Sequence, residues 1–514
     1  MDKVLLSGDF LLYPKKVPLQ VVLTNKNLTI KNKLTKGAPE VISLADVIGC
    51  HVLQGNKTTS AQWYLCIFFY PLKKKVFKGH SRCRSTKSLG IACCDSDSEN
   101  KSLAEKWKKA IKFITAGNNL TEDQTDCIPE IEQRHFVVYI NPFSGRGKAM
   151  QIYKDHVKHV FCEAEIKSTV VKTEYAGHAC KLSKEIELGK YDGIVIVSGD
   201  GLVHEVINGL MDRVDWEQAI KTPLGIVPGG SGNALAASIV YASTGHHPLP
   251  DVLPSSLFEI CRGKICKVDI LAMETSDASH VKKAKITYGI LGTVIGLISD
   301  IDIESERLRS LGSQTRMLLY ALMRIATMRR YNLTVSFLPA MADKEFGLSL
   351  ETSAEQNDNA IHNAIKENYT AAGDATETLV NDLLPPLDEP VPSTWSVSQG
   401  EFLQVTGVNL SHIAVDTILH PTKKRSDGLL FLTQITANVN RRSLLKLWDS
   451  MEDGTGLTER DNSSDVVVTP CRAFRIVPHS KHSEIVTLDG EKMPYGPFQC
   501  QVHPQLGRVF GTNY

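Results

Sequence analysis

An aspartate between two glycines, Asp200 in the run SGDGLVHE of residues 198–205, is the residue of this chain best suited to do chemistry. The apolar residues 194–197 before it are typical of a buried parallel strand, and the apolar residues after it recur at helical spacing. We therefore expect Asp200 at the carboxyl end of a strand, where α/β proteins bind ligands. A carboxylate there can accept a proton, and the glycines let a phosphate group approach the backbone. The alternative is a structural turn in which Asp200 caps the next helix.

Two more glycine-rich turns follow short apolar runs in the same part of the chain. Residues 141–148 read NPFSGRGK, and residues 228–233 read PGGSGN. Free backbone N–H groups at such turns, together with a helix N-terminus, form a cradle for anions. Neither turn is a Walker A loop or a dinucleotide fingerprint, because Pro142 and Leu235 stand where glycines belong. Three such turns, one with a carboxylate, predict a nucleotide-binding site.

Taken together, the three turns resemble the diacylglycerol kinase catalytic-domain family and, within it, the sphingosine kinases. The resemblance includes residues 300–306 (DIDIESE) and 486–491 (VTLDGE), and it covers the chain from about residue 136 to the end, apart from one insertion. It implies an ATP-dependent lipid kinase that phosphorylates the primary hydroxyl of sphingosine and related sphingoid bases to sphingosine 1-phosphate. ATP and Mg²⁺ are the implied cofactors, although no acidic cluster indicates a dedicated metal site. A ceramide or diacylglycerol kinase, and a non-catalytic lipid-binding scaffold, stay open as alternatives.

The resemblance also implies a role for each matching residue. Asp200 is the implied general base for the attacking hydroxyl, and Asp302 is implied to bind the substrate, whose ammonium group it would pair with. The residues implied to bind ATP are Asn141, Pro142, Phe143, Thr173, Glu174, Ser198, Gly199, Gly201, Glu205, Gly229, Gly230, Ser231, Arg309, Arg316, Asp489, Gly490 and Glu491. The alternatives are a surface position for Glu205, solvent-exposed arginines, a hairpin turn at residues 489–491 and a solvated acidic helix start around Asp302.

The length of 514 residues predicts several domains, because such a chain is too long for one ordinary hydrophobic core. Short apolar runs, followed by a helix with a central Trp107, make the first part similar to a pleckstrin-homology domain. Strand–loop–helix alternation then predicts an α/β catalytic domain with a mostly parallel sheet, and later extended runs predict an antiparallel β-sandwich domain for the lipid substrate. The predicted boundaries are 1–118 for the β-rich domain, 119–134 for a linker, 135–262 for the catalytic domain and 263–514 for the lipid domain, with a disordered insertion at 351–391.

Two segments suggest contact with membranes or partner proteins. A basic segment from Lys73 to Arg84 is interpreted either as a surface for anionic lipid head groups or as a solvated loop. Residues 314–331 interleave apolar side chains with arginines, which is typical of a helix that binds calmodulin or a membrane surface. The alternative is that this helix packs its apolar side on the lipid pocket. The apolar run 290–298 either lines an acyl-chain tunnel or belongs to the core.

The composition bounds the remaining choices. Lys and Arg together number 58 against 57 for Asp and Glu, so bulk charge does not favour a nucleic-acid partner. We expect no signal peptide and no membrane-spanning helix, because no apolar stretch reaches about 20 residues. The 12 cysteines show no zinc-ligand spacing, and reduced thiols are expected. The expected location is cytoplasmic, with reversible recruitment to the plasma membrane or endomembranes, and a homodimer stays open.

Overall fold

A computed structural model describes most of the chain. The described residues are 3–55, 62–75, 79–91, 96–230, 232–247, 252–276, 285–305, 307–308, 313–340, 381–458, 463–480 and 484–512. Within them the protein is rich in β-structure, with one mixed sheet of 14 strands and one antiparallel sheet of seven strands. None of the described helices combines the length and the hydropathy needed to cross a bilayer.

The first part of the chain is an antiparallel sheet followed by one long helix. Its elements are β1 (Leu6–Leu12), β2 (Val17–Leu23), β3 (Asn27–Asn32), β4 (Glu40–Ser43), β5 (Val47–Gln54), β6 (Trp63–Phe69), β7 (Leu72–Lys74), β8 (His80–Arg82), β9 (Ser85–Ile91) and α1 (Asp97–Thr115). The strand order is β4-β3-β2-β1-β9-β6-β5. The hydroxyl of Ser96 caps α1 by accepting the N–H of Glu99, and the buried Trp107 ring packs edge-on against Phe10 at 5.0 Å between centroids.

Parallel strands and helices alternate in the next part. The elements are β10 (His135–Ile140), α2 (Ser144–Gly147), α3 (Ala149–Ile152), a π-helical turn (Tyr153–Val157), α4 (Lys158–Glu163), β11 (Lys167–Lys172), α5 (His178–Glu185), β12 (Gly193–Ser198), α6 (Asp200–Met211), α7 (Trp216–Ala219), β13 (Leu224–Pro228), α8 (Ala234–Thr244) and α9 (Leu253–Arg262). The strands pair in parallel in the order β11-β10-β12-β13. Every residue of β12 is buried, as its unbroken apolar run predicts for a strand covered on both faces. The parallel sheet predicted from the sequence is therefore present.

The last part is dominated by antiparallel strands. Its elements are β14 (Ile265–Thr275), β15 (Lys285–Gly289), β16 (Gly292–Gly296), α10 (Leu297–Ser305), α11 (Ser313–Thr327), β17 (Tyr331–Pro339), β18 (Ser396–Val408), β19 (His412–Ala414), β20 (Thr417–Ile418), β21 (Leu430–Thr436), α12 (Arg441–Asp453), β22 (Val466–Pro478), β23 (Val486–Leu488), β24 (Glu491–Met493) and β25 (Phe498–Phe510). The long strands β18 and β22 each pair with β17 along one half and with β21 along the other. Strands that change partners in this way connect the layers of packed sheets.

The final strand joins the two larger parts into one sheet. β25 pairs in parallel with β13 through Leu224 and Val509, and it runs antiparallel to β14 and β22 on its other contacts. Val509 and Phe510 are buried in cores made mainly by the parallel part. The boundary predicted near residue 262 therefore does not separate the sheet, because the C-terminal strand returns to the first half.

The predicted insertion is only partly within the described residues. Residues 351–380 lie outside them. Residues 381–391 lie along the sheet, where the guanidinium of Arg475 donates to the carbonyl oxygens of Pro385 at 2.8 Å and Glu389 at 2.5 Å. The amide of Gln501 donates to the carboxylate of Asp382 at 2.8 Å. This end of the insertion is thus bonded to β22 and β25.

The N-terminal unit is docked on the catalytic part through the end of α4. The carboxylate of Glu163 accepts a hydrogen bond from the hydroxyl of Tyr70 at 2.8 Å and another from Nε of Arg84 at 2.5 Å. Arg82 lies over the ring of Phe258 in α9, with its guanidinium carbon 3.7 Å from the ring centroid. Arg82 is therefore largely buried and not part of a lipid-facing surface, whereas Arg84 is bonded to Glu163 and keeps 56% of its side chain exposed.

We expect replacement of Glu163 by Ala to lower the free energy of unfolding by about 1–3 kcal/mol, since it leaves a buried hydroxyl and a guanidinium without their acceptor. Chemical denaturation of the full chain would measure this. The matched control is Glu187→Ala, because Glu187 forms an exposed ion pair with Lys190 and its loss should change stability by less than about 0.5 kcal/mol. Equal unfolding midpoints for the two variants would contradict the docking role of Glu163.

Candidate active site

The three glycine-rich turns meet at the carboxyl edge of the parallel strands. Two of them touch through their backbones, because a Cβ atom added to Gly230 would lie 2.3 Å from the Cα of Gly199. Only glycine fits such an approach. The first turn joins them through the hydroxyl of Ser144, which donates to the carbonyl oxygen of Gly229 at 3.1 Å. The turns that the sequence predicts for one site are thus in contact with one another.

Asp200 is the first residue of α6, and its carboxylate is turned toward a different helix. Oδ2 accepts the N–H of Ala234 at 2.9 Å and Oδ1 accepts the N–H of Leu235 at 3.3 Å, both in the first turn of α8. The N-cap of α6 is Gly199, so Asp200 caps the neighbouring helix and not its own. Burial raises the pKa of Asp200 to about 6, the negative charge of Asp489 adds to this, and the helix amides oppose it.

Asparagine side chains stabilise the turns at residues 141–148 and 228–233 through hydrogen bonds. Asn233 has a left-handed backbone with φ of 57°, and its side chain accepts the N–H of Gly230 at 3.0 Å and donates to the same residue's carbonyl oxygen at 2.9 Å. In the first turn, Oδ1 of Asn141 accepts the N–H of Phe143 at 3.0 Å. These bonds hold the turns in shape, and they occupy the N–H groups of Phe143 and Gly230. Ser231 lies outside the described residues.

Thr173, Glu174 and Glu205 occupy the side of the site next to β11. Thr173 is buried and its N–H donates to the carbonyl oxygen at the end of β10 at 2.9 Å, whereas Glu174 is exposed. The carboxylate of Glu205 accepts the N–H of Ala179 at 3.0 Å, in the first turn of α5. The alternative of a free surface position for Glu205 is therefore wrong, because the residue caps a helix.

Asp489 is buried between the two halves of the fold and bonds to residues of both. Its carboxylate accepts the N–H groups of Ile290 at 2.9 Å, Leu291 at 2.8 Å and Gly292 at 3.2 Å. Nδ1 of His204, on α6, lies 3.4 Å from Oδ2 of the same carboxylate. Burial opposes the charge of His204, but the bond to Asp489 and the nearby acids together raise its pKa above the ordinary value. The turn that follows β23 is thus bonded to the helix that begins at Asp200.

Gly490 and Glu491 connect the surroundings of Asp200 with Asp302. A Cβ atom added to Gly201 would lie 2.6 Å from Oε1 of Glu491, and one added to Gly490 would lie 3.6 Å from Oδ2 of Asp302. Both predicted acids, one for the base and one for the substrate, therefore border the same C-terminal turn. Arg309 lies outside the described residues. Arg316 lies on α11, in the part whose side chains are not described.

The neighbouring acid on α10 has a different environment. Asp300 is fully buried and accepts hydrogen bonds from the hydroxyl of Tyr331 and from Nη1 of Arg329, the latter at 3.2 Å. Burial raises its pKa, although these partners oppose the shift. The alternative of a solvated acidic helix start is therefore wrong for Asp300. Asp302, two residues on, is only partly buried.

A small apolar cavity lies beside α10. Its lining includes Leu297 and Ile298 at the start of that helix and Trp448 and Met451 on α12, with few polar atoms. A second, smaller cavity shares Leu297 and is lined by Asp300 and Arg324, among others. Of the apolar run predicted to line an acyl-chain tunnel, the last two residues do line a cavity. Ile290 and Ile295 belong to the hydrophobic cores instead.

The sequence reasoning missed two residues of this site. His204 contacts Asp489, and Asn208 donates to the carbonyl oxygen of Tyr288 at 2.8 Å and accepts that residue's N–H at 2.9 Å. The signal was present, because Asp200, His204 and Asn208 recur every four residues on a helix that is otherwise largely apolar. Such spacing places all three on one face. That face is where α6 meets the second half of the fold.

Comparison with known proteins finds one matching family and several similar kinases. The family described as diacylglycerol kinase catalytic domain matches residues 135–273. Human sphingosine kinase 1 is 34% identical over 72% of this chain and 88% of its own length. Human sphingosine kinase 2 is 29% identical over 98% of this chain and 91% of its own length. Sphingoid long chain base kinase 4 of Schizosaccharomyces pombe is 31% identical over 73% of this chain and 74% of its own length.

Proposed function

This chain belongs to the sphingosine kinase family and is a lipid kinase, and on that premise we propose that it phosphorylates the primary hydroxyl of sphingosine with ATP. The observation that carries the proposal is the position of Asp200. Its carboxylate, with a pKa of about 6, lies where two glycine-rich turns touch and next to the turn that borders Asp302. A base, a phosphate cradle and an acid suited to a cationic lipid are thus within one small region.

In the proposed reaction, the lipid hydroxyl oxygen attacks the γ-phosphorus of ATP as its proton passes to Asp200. The bond between the γ-phosphorus and the bridging oxygen breaks, and ADP leaves. The amides of Ala234 and Leu235 hold the carboxylate in a fixed orientation, which is what proton transfer at a defined position requires. A pKa of about 6 makes Asp200 a stronger base than a free aspartate and leaves it mostly ionised at neutral pH.

The turns around residues 141–148, 198–201 and 228–233 are proposed to hold the ATP phosphates through backbone N–H groups other than those of Phe143 and Gly230, which already donate to Asn141 and Asn233. Magnesium is proposed to arrive with ATP and to offset the negative charge of the phosphates. Among the described residues, no three of His, Cys, Asp and Glu gather as a metal site. Glu491 fits a metal carried by ATP, because it is exposed and its carboxylate reaches the turn at Gly201.

Asp302 is proposed to select the lipid. A sphingoid base carries an ammonium group near its hydroxyls, and a partly buried carboxylate pairs with it through charge-assisted hydrogen bonds. Ceramide and diacylglycerol lack that charge, so they would not form this charge-assisted pair with Asp302. The apolar cavity next to α10 is proposed to hold the hydrocarbon chain, since it begins at Leu297, on the same helix as Asp302.

The exposed face of α11 is proposed to contact the membrane. Leu318, Leu319, Leu322 and Met323 lie on one side of this helix, and each is between 44% and 55% exposed. Three arginines of the segment form ion pairs within the protein, because Arg324 pairs with Glu304, Arg329 with Asp300 and Arg330 with Glu401. Calmodulin would have to free the whole helix, whose Ala321 and Ile325 are buried, whereas a bilayer needs only the exposed side.

The remaining proposals concern the cell. We propose that residues 1–118 form a pleckstrin-homology-like domain, supported by seven antiparallel strands followed by one helix with a buried Trp107. We also propose a cytoplasmic location with recruitment to membranes. Imaging of the tagged chain in cells would test the location, and uniform exclusion from membranes would contradict it.

We expect Asp200→Asn to lower kcat by a factor of about 10² to 10⁴, because an amide cannot take the proton. In the parent, kcat should fall as pH drops through about 6, where the carboxyl becomes protonated. Steady-state assays across pH would measure both effects. The control is Asp212→Asn, at the exposed end of the same helix, which should keep full activity. Folding should survive the change at Asp200, since the side-chain oxygen of Asn can still accept an N–H group of α8 and no charge is then buried. An active, folded Asp200→Asn variant would exclude the proposed base.

A panel of sphingosine, ceramide and diacylglycerol with labelled ATP would test the substrate class. We expect phosphorylation of sphingosine, and we expect Asp302→Asn to raise KM for sphingosine at least ~tenfold, because a charge-assisted pair is lost. Asp416→Asn, an exposed acid on the turn between β19 and β20, is the control. Preference for the uncharged lipids would refute the role of Asp302, and no consumption of ATP with any lipid would favour the scaffold.

For the membrane face, we expect Leu319→Glu combined with Leu322→Glu to weaken binding to anionic vesicles at least ~tenfold, since two apolar side chains are lost from the interface. Vesicle sedimentation measures this, and activity on detergent-dispersed sphingosine should persist. Val214→Glu, at a position 84% exposed in the catalytic part, is the control. Unchanged vesicle binding together with loss of calmodulin capture would instead assign this face to calmodulin.

A further inference from the structure

We propose that the ring of Tyr175 is the platform on which the base of ATP stacks, with Phe143 as a second aromatic wall. This inference rests on the proposed nucleotide site and adds the residue that recognises the base. The resemblance to known kinases covers Thr173 and Glu174 in this loop, but it assigns nothing to the tyrosine that follows them.

Exposed aromatic rings are rare in this protein. Across the described residues, the exposed rings of Phe, Tyr and Trp are those of Tyr13, Phe143 and Tyr175, at 57%, 78% and 54%. Tyr13 lies in the N-terminal unit, with its ring edge-on to Tyr64. The other two both lie on loops that leave the carboxyl edge of the parallel sheet. Two exposed rings on neighbouring loops at a ligand edge provide a surface on which a planar base can stack.

The strand register places these two loops side by side. Ile140, the last residue of β10, pairs with Lys172, the last residue of β11. Phe143 and Tyr175 each stand three residues beyond this pair. Neighbouring strands are about 4.8 Å apart, so the two loops begin as immediate neighbours. The loop of Phe143 also reaches the phosphate turn, through the bond from Ser144 to Gly229. A base placed at these rings is therefore continuous with the phosphate cradle.

The Tyr175 ring is held in a fixed orientation from one side. It stacks on the ring of His178, with 4.6 Å between centroids and 8° between planes. Nδ1 of His178 accepts the N–H of Glu174 at 3.0 Å, which fixes the histidine ring against the loop. One face of the tyrosine ring is thus covered, while 54% of the residue stays exposed. A ring prepared in this way loses little freedom when a base stacks on it.

The test compares the base with the phosphates. We expect Tyr175→Ala to raise KM for ATP roughly tenfold with sphingosine as acceptor, because stacking on an aromatic ring contributes at that level. The value of kcat should stay within about twofold, since Tyr175 does not touch the reacting atoms. Tyr175→Phe should keep the parent KM. Tripolyphosphate, which has no base, should inhibit the parent and Tyr175→Ala with the same inhibition constant.

The control variant is Tyr13→Ala, the other exposed tyrosine, which should change none of these values. An unchanged KM for ATP in Tyr175→Ala would overturn the proposal. So would a parallel rise in the inhibition constant of tripolyphosphate, because that would mean the whole loop had been deformed. If no lipid is phosphorylated at all, titration calorimetry of ATP binding to the parent and to Tyr175→Ala still decides the role of the ring, separately from the proposed function.

Discussion

Carboxylates that bond to backbone N–H groups of another element are the interaction on which the site depends. Helix starts and tight turns leave amides without partners, and buried amides must find acceptors. Three acids meet this need here: Asp200 at the start of α8, Glu205 at the start of α5, and Asp489 at the turn between β15 and β16. Each carboxylate thereby links the element on which it lies to another element that is distant in sequence. The geometry of the site follows from these bonds, since they fix where the glycine-rich turns stand.

The same arrangement explains how one aspartate can be both a structural acceptor and a candidate base. The amides of α8 favour the ionised form of Asp200, whereas burial and the charge of Asp489 favour the protonated form. The balance raises the pKa only to about 6, so the acid stays charged near neutrality. Burial alone would raise the pKa so far that Asp200 stayed protonated. The amides alone would lower the pKa and make the carboxylate a poor base. His204, on the same helix as Asp200, is bonded to Asp489 and so connects α6 to the second half of the fold.

How much could be predicted from the sequence depended on the range of the interaction. The strand–turn–helix units around Asp200 and Gly230 were predictable, because local apolar periodicity and glycine spacing specify them. The role of Asp489 as an acceptor for the turn at Ile290 was not, because about 200 residues separate the partners and no local pattern marks the pair. The same holds for Arg84, where a run of basic residues suggests a solvated or lipid-facing segment and only the docked fold supplies Glu163. In the same way, the sequence of a single strand does not show that β18 and β22 each pair with two different strands along their length.

The pairing of β25 with β13 has a consequence for biosynthesis. During translation, β13 leaves the ribosome long before residues 498–510 have been synthesised. Until then, the edge of the parallel sheet at β13 is unpaired. An unpaired edge is a template for contacts between nascent chains. The parallel sheet of the nucleotide half is therefore completed only after residues 498–510 have been synthesised.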